Sequence, residues 1–298
     1  MESSVTSTEF TAANDTAAFV PNPATPYQGD IARYWNAEAR PVNLRLGDVD
    51  GLYHHHYGIG AVDHASLGSI EDSEYEKKLI TELHRLESAQ AEVLLDHLGP
   101  IAATDTLVDA GCGRGGSSVM AHQRFGCKVE GVTLSSTQAE FGNQRAKDLG
   151  IDTHVHAQVC NMLDTPFEKG SITASWNNES TMYVDLDDLF AEHSRFLKVG
   201  GRYVTITGCW NPRYGQPSKW VSQINAHFEC NIHSRREYLR AMADNRLVPQ
   251  AVVDLTPDTL PYWELRATSS LVTGIEEAFI ESYKDGSFQY VLIAADRV

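Results

Sequence analysis

The chain predicts an open α/β fold, a mostly parallel sheet with helices on both faces, together with an N-terminal and an inserted cap segment. Three observations carry that expectation. From about residue 73 onward strand-like and helix-like stretches alternate, the pattern that crossover helices impose on a parallel sheet. The first of these strands runs into a glycine-rich turn, VDAGCGRGGSS at 108–118, that opens a helix. The 298 residues, 42% hydrophobic and 21% charged, suit one large domain with additions.

Taken in order, residues 1–26 mix Ser, Thr, Ala, Asn and Pro without apolar periodicity and read as a disordered leader. They lack the basic start and apolar run of a signal peptide. One catalytic domain is expected over 27–298, beginning with an irregular stretch at 27–72. From Ser73 to Leu98, Leu79, Ile80, Leu83, Leu86, Val93, Leu94 and Leu98 recur at helical spacing, with Ser73 as N-cap. A strand at TLVDAG (106–111), a helix from about 116, a strand at KVEGVTL (128–134) and a helix through 136–149 follow. VHAQVCNM (155–162) and ITASWNN (172–178) are the next strands, and a helix around 186–197 leads through Gly200-Gly201 to RYVTITGCW (202–210). Residues 211–247 break the rhythm with Pro, Trp, Asn and His. QAVVDLT (250–256), a mostly helical stretch to about 284 and FQYVLIAAD (288–296) complete the chain. The segments 27–72 and 211–247 are placed as a cap over the carboxyl edge of the sheet, where ligands of open α/β sheets bind.

Composition narrows the function. Forty acidic residues against 24 basic ones give a net charge of -16, which repels a polyanion, and no Lys/Arg run offsets it, so nucleic acid is not the expected partner. No apolar run reaches the roughly 20 residues of a bilayer span, so no membrane partner is expected. The five cysteines, at 112, 127, 160, 209 and 230, form an odd set without a CxxC pair and fit reduced thiols in a cytoplasmic protein. A small anionic substrate remains compatible with the charge, because a phosphate group responds to a few local Arg residues and to metal ions.

In VDAGCGRGG the strand ends at Asp109, and Gly111, Gly113 and Gly115 let the backbone turn tightly and approach a ligand. The spacing is G-x-G-x-G, where a dinucleotide loop has G-x-G-x-x-G. An acid at the strand end suits a cationic amino-acid ligand better than a pyrophosphate. The segment resembles the first motif of class I methyltransferases, whose Rossmann-like fold holds S-adenosylmethionine on such a loop. The resemblance implies cofactor contacts at Asp109, Gly111, Cys112, Gly113 and Gly115. Many relatives end the second strand with an acid, but here it reads KVEGVTLSSTQ, with Glu130 too early. That departure resembles the sterol and cyclopropane-fatty-acid methyltransferase branch and implies cofactor roles for Thr133, Leu134 and Gln138. By the same resemblance Asn161 and Met162 of CNMLDTPF meet adenine, and Asn177 joins the cofactor set.

Enzymes of that branch methylate carbon of electron-rich alkenes, chemistry that calls for an aromatic, water-excluding pocket and a base. Glu179 in SWNNESTMY is the base candidate, against the alternative of a helix-start carboxylate or cofactor ligand; Tyr57 and Tyr53 are second candidates. Phe228 is the choice for cation–π stabilisation. His54, His55 and His56 cannot all bind one ion, since neighbours on a strand face opposite ways, so no protein-bound metal is expected. DLDDL at 185–189 resembles a magnesium motif of terpene cyclases, but carboxylates in a helix's first turn are also stabilised by the dipole.

Residues 26–60, 108–116, 175–188 and 208–234 resemble the bacterial geranyl diphosphate C-methyltransferase family of 2-methylisoborneol formation. This implies methylation of geranyl diphosphate at C2, with Asn43, Arg45, His55 and Tyr53 or Tyr57 about the substrate, Mg²⁺ held mainly by diphosphate oxygens, and a homo-oligomer. The competing readings are an N- or O-methyltransferase of another small metabolite and a noncatalytic S-adenosylmethionine-binding module.

Overall fold

The structure, a computed structural model, describes residues 25–37 and 41–298. The leader expected over 1–26 lies outside the described residues but for its last two positions. Helices α1 (Pro26–Ala37), α2 (Pro41–Gly47) and α3 (His64–Leu67) precede the long α4 (Tyr75–Asp96). The chain continues with β1 (Thr106–Ala110), α5 (Gly116–Phe125), β2 (Lys128–Thr133), α6 (Ser136–Asp148), β3 (Val155–Val159), β4 (Ile172–Asn178), α7 (Leu186–Phe196) and β5 (Leu197–Trp210). It ends with α8 (Lys219–Phe228), α9 (Arg235–Asp244), β6 (Leu247–Asp254), α10 (Thr256–Arg266), α11 (Glu276–Lys284) and β7 (Phe288–Arg297).

The seven strands form one sheet in the order β3-β2-β1-β4-β5-β7-β6. β1 to β5 run parallel, and β7 lies antiparallel between β5 and β6. Alternate side chains feed two cores, as a pleated strand covered on both faces requires. In β7, Tyr290, Leu292 and Ala294 join the core beneath α4, α10 and α11, whereas Val291, Ile293 and Ala295 join that of α7 and α9. Pro249, which has no N–H to donate, sits in edge strand β6 beside a register shift. The strand order reverses between β1 and β4, and the crevice outside their carboxyl ends holds the site described below.

Most expected elements form within a few residues of their predicted bounds, and three expectations need correction. The helix expected from Ser73 starts at Tyr75, with Glu74 in the cap position. Among its described residues, the segment 27–72 holds α1, α2 and α3 where no helix was expected, and stays irregular over 48–63. Residues 211–247 hold α8 and α9, each capped by a serine: Ser218 accepts from Val221 N, and Ser234 forms a reciprocal capping box with Glu237. Only α8 and the turn after it face the crevice; α9 packs against α7 and β6 instead. DLDDL is a helix start, with Asp185 accepting from the Asp187 and Asp188 amides and Asp187 paired with Arg240. The five cysteines are unpaired, and among the described residues no helix is long and apolar enough to cross a membrane.

Candidate active site

A cavity of about 550 Å³ opens at the carboxyl ends of β1 and β4. Its first wall is the turn after β1. Gly111 has φ +83°, and a Cβ there would lie 2.4 Å from Ser180 Cβ; Gly113 has φ +55° with His55 3.1 Å from its own notional Cβ. Both positions thus need glycine for conformation and for space. Arg114 Nη1 donates to His55 Nε2 at 2.8 Å, tying the turn to the segment before α3. The floor is the end of β2: Thr133 Oγ1 donates to Gln138 Oε1 at 3.0 Å, and Ser135 caps α6 by accepting from Gln138 N. Thr133, Leu134, Gln138 and Met162 line the cavity. A turn that admits a ligand against bare backbone, continuous with this polar floor and with Met162, fits the nucleoside and amino-acid parts of S-adenosylmethionine.

The second wall is apolar and aromatic, and distant parts of the chain supply it. Tyr57 packs 4.4 Å from Trp263 and 5.1 Å from Phe279, between ring centroids, and lies 6.4 Å from Phe228. Trp263 and Phe279 are stacked at 3.8 Å, and Tyr283 and Phe288 at 5.2 Å. Ring faces so arranged stabilise a cation that has been taken out of water.

Glu179 sits between the two walls, immediately after β4. Its backbone is left-handed, φ +50°, a conformation rare for a residue with a Cβ and held here by its N–H bond to Ile206 O at 3.0 Å. The carboxylate Oε1 accepts from the Tyr57 backbone N–H at 3.1 Å and from the Tyr290 hydroxyl. Burial raises its pKa to about 8, against the opposing pull of those two donors. A cation beside it would draw that value down and favour the ionised form.

At the cavity's other end Arg45, in the last turn of α2, lies with Nη1 3.3 Å from Ser270 Oγ, and Asn43 Nδ2 donates to His54 O at 2.9 Å. Buried Arg266 also lines the cavity, 3.3 Å from Glu276 Oε1. The guanidinium groups of Arg45 and Arg266, with Asn43 and His55, give the cavity lining polar and cationic groups suited to a phosphate.

Glu179, Phe228, Tyr57, Asn43, Arg45, His55, Gly111, Gly113, Thr133, Leu134, Gln138 and Met162 therefore come together around one space. Six expected residues do not line it. Tyr53 turns away, its ring 4.8 Å from Phe141 and its hydroxyl donating to Asp48. Asp109 lies behind the turn, accepts from Ser118 Oγ at 2.7 Å, and is pushed up to about 7 by burial. Cys112 packs toward Gly131, and Gly115 begins α5. Asn161 exchanges two hydrogen bonds with Gln28, anchoring α1. Asn177 is wholly buried, donating to Ala110 O and Ser180 Oγ and accepting from Tyr203. Trp35, Arg266, Phe279, Tyr283, Phe288 and Tyr290 line the cavity without having been expected. Phe279 and Tyr283 stand four apart on α11, and Phe288 and Tyr290 two apart on β7, spacings that could have flagged two aromatic faces. Among the described residues no group of three or more His, Cys, Asp or Glu side chains is arranged to hold a metal.

This fold, with its glycine turn and polar floor, defines a class I methyltransferase, and the methyltransferase domain family matches residues 108–205. The chain is 87% identical over 281 residues to geranyl diphosphate 2-C-methyltransferase of Streptomyces ambofaciens, covering 94% of this chain and 97% of that protein. It is 83% identical over 291 residues to the enzyme of the same name from Streptomyces coelicolor, covering 98% and 99%. A crystal structure of the S. coelicolor enzyme with Mg²⁺, geranyl-S-thiolodiphosphate and S-adenosyl-L-homocysteine superposes with a TM-score of 0.92 at 84% identity, covering 93% of this chain and 100% of that one. The chain belongs to the geranyl diphosphate 2-C-methyltransferase family.

Proposed function

We propose that the protein transfers the methyl group of S-adenosylmethionine to C2 of geranyl diphosphate, giving 2-methylgeranyl diphosphate. The observation that carries this reading is Glu179, the one carboxylate among the described lining residues, set between a glycine-turn cofactor wall and an aromatic wall, with Arg45 and Arg266 in the same cavity. The cofactor supplies an electrophilic methyl on a sulfonium. The C2=C3 alkene forms the new bond from C2 as the methyl–sulfur bond breaks and its electron pair returns to sulfur, giving S-adenosylhomocysteine and leaving positive charge at tertiary C3. Phe228 and Tyr57 present ring faces to that charge, and the apolar wall keeps water from capturing it. Glu179 takes the C2 proton, restoring the double bond.

Asn43, Arg45 and His55 bind the diphosphate, joined by Arg266. Mg²⁺ is held mainly by diphosphate oxygens and water, which accounts for an acidic protein handling a polyanionic substrate without a basic surface. The protein works on this small molecule in the cytoplasm, as a homo-oligomer, with residues 27–72 and the turn after α8 capping the site. The test is incubation with methyl-labelled S-adenosylmethionine, Mg²⁺ and isopentenyl, geranyl and farnesyl diphosphates, with the product position fixed by mass spectrometry. Label on C2 of the geranyl chain is expected. Label on oxygen or nitrogen, or none, overturns the reading.

A further inference from the structure

We propose that Gln90 is a positioning residue for the proton-transfer step: its amide fixes the direction of the Tyr290 hydroxyl, which commits one oxygen of Glu179 to the protein and leaves Oε2 as the atom that takes the substrate's proton. This rests on Glu179 being the base.

Gln90 lies on the core-facing side of α4, fully buried among Leu83, Leu86, Ala91 and Leu94 of the same helix. A carboxamide in that setting is costly unless it is bonded. Its Nε2 donates to Asn178 Oδ1 at 2.7 Å and to the Tyr290 hydroxyl oxygen at 2.9 Å, while Asn178 Nδ2 donates back to Gln90 Oε1 at 2.9 Å. The amide pair holds Gln90 beside the phenol, and the phenol's commitment of its own proton to Glu179 requires Nε2, not Oε1, to face Tyr290.

The direction of each proton then follows. An ionised carboxylate only accepts, so the phenol donates its single proton to Glu179, and the phenol oxygen needs a donor in turn. Gln90 Nε2 is that donor. Both hydrogen bonds to the carboxylate, from Tyr290 and from the Tyr57 N–H, fall on Oε1. Two donors on Oε1 lower its basicity, and Oε2 carries neither. The chain of bonds from α4 through β7 thus holds the carboxylate in one rotation, with a defined oxygen for the reaction.

Other side chains at position 90 would act differently. Met fills the space but leaves the phenol free to turn. Glu offers the phenol a second acceptor that competes with Glu179. Besides Tyr290 and the Tyr57 amide, the buried Glu87 and Tyr283 stand close enough for the Glu179 charge to push their pKa values up, and neither is altered by these changes.

The test is Gln90→Met, made in the native chain and in a Tyr290→Phe background, in the full holoenzyme. In the native background kcat falls roughly tenfold, the scale of one lost directional hydrogen bond, with KM unchanged for S-adenosylmethionine and for geranyl diphosphate. The acidic limb of the kcat profile moves to higher pH, because a weakened Tyr290 bond no longer lowers the Glu179 pKa. In the Tyr290→Phe background Gln90→Met has no further effect, since its action passes through that hydroxyl. Gln90→Glu, which keeps the shape and the Asn178 bond, lowers kcat at least as much and serves if the Met variant does not fold. An unchanged kcat and limb, or losses that add in full in the double variant, overturn the role of Gln90. Undiminished turnover by Glu179→Gln instead removes the base reading on which it rests.

Discussion

The two walls of the cavity are assembled in opposite ways. The cofactor wall comes chiefly from one span, residues 111–138, in which a turn, a helix, a strand and a second helix start follow one another. The acceptor wall takes Tyr57 from the segment before α3, Glu179 from the end of β4, Phe228 from α8, Phe279 from α11 and Tyr290 from β7. Backbone geometry specifies the first wall, and convergence of side chains specifies the second. Substitutions on the acceptor wall should therefore change the chemical step, and substitutions on the cofactor wall should change binding.

The largest effect expected on this division is that of Glu179→Gln. The amide keeps the shape and can still accept the Tyr57 and Tyr290 bonds, but it is not a base. Turnover falls by about 10²–10⁴, the range for a positioned general base, while S-adenosylmethionine binding measured by calorimetry persists. Lost cofactor binding would move Glu179 to the first wall. Next is Gly111→Ala, the converse change. The new Cβ meets Ser180 Cβ at 2.4 Å in a left-handed backbone with φ +83°. Strain of about 1–3 kcal/mol weakens cofactor affinity by roughly tenfold or more, seen as a raised Kd. An unchanged Kd would mean that the turn yields, and that close backbone approach is not what holds the ligand.

Phe228→Ala comes third. A desolvated cation–π contact contributes about 0.5–2 kcal/mol, so kcat drops about threefold to thirtyfold with cofactor Kd unaltered. Phe228→Tyr, which keeps a ring face, restores most of the rate. An N- or O-methyl transfer would need no such face and would lose little in the Ala variant, so the pair of variants also separates alkene methylation from its main rival.

The same division explains what the sequence made legible. Gly111 and Gly113 were readable from their spacing in a local strand–turn–helix unit, Thr133 and Gln138 from the resemblance of the segment that follows, and all four line the cavity. Glu179 was readable as the one acid directly after a predicted strand at the sheet's carboxyl edge. Tyr290 was not, because alternation along FQYVLIAAD marks it as one more core position, and only the packing of α4 against β7 brings Gln90 to its hydroxyl. Asn161 and Asn177, expected to meet the cofactor, do not line the cavity: their carboxamides are turned to Gln28 and to Ala110 and Tyr203, a choice that spacing does not encode. The helices in 211–247 were missed under Pro, Asn and His, although Ser234 and Glu237 spell a capping box.

Each wall also has a buried carboxyl behind it, and the smallest effect concerns the one behind the aromatic wall. Glu87 of α4 is 1% exposed and accepts from Tyr262 at 2.8 Å. Burial pushes its pKa up to about 8, with the Glu179 charge adding to the rise and Tyr262 and Arg266 opposing it. In the unfolded chain the same group ionises near its ordinary value of about 4.3. Between those values the native state binds the extra proton, so the contribution of Glu87 to stability falls as pH rises through that window and levels off above about 8. From pH 7 to 9 the loss is on the order of 1 kcal/mol, or about 2 °C in melting temperature for a chain of this size. Gln at this position has no proton to lose. The melting temperature of Glu87→Gln should therefore gain on that of the native protein by that amount between pH 7 and 9, as followed by thermal melts in matched buffers. Parallel pH dependences in the two proteins would show that Glu87 is already ionised in the fold. Its charge would then have to be balanced by Arg266, placing a buried ion pair behind the aromatic wall where the present arrangement has a neutral acid.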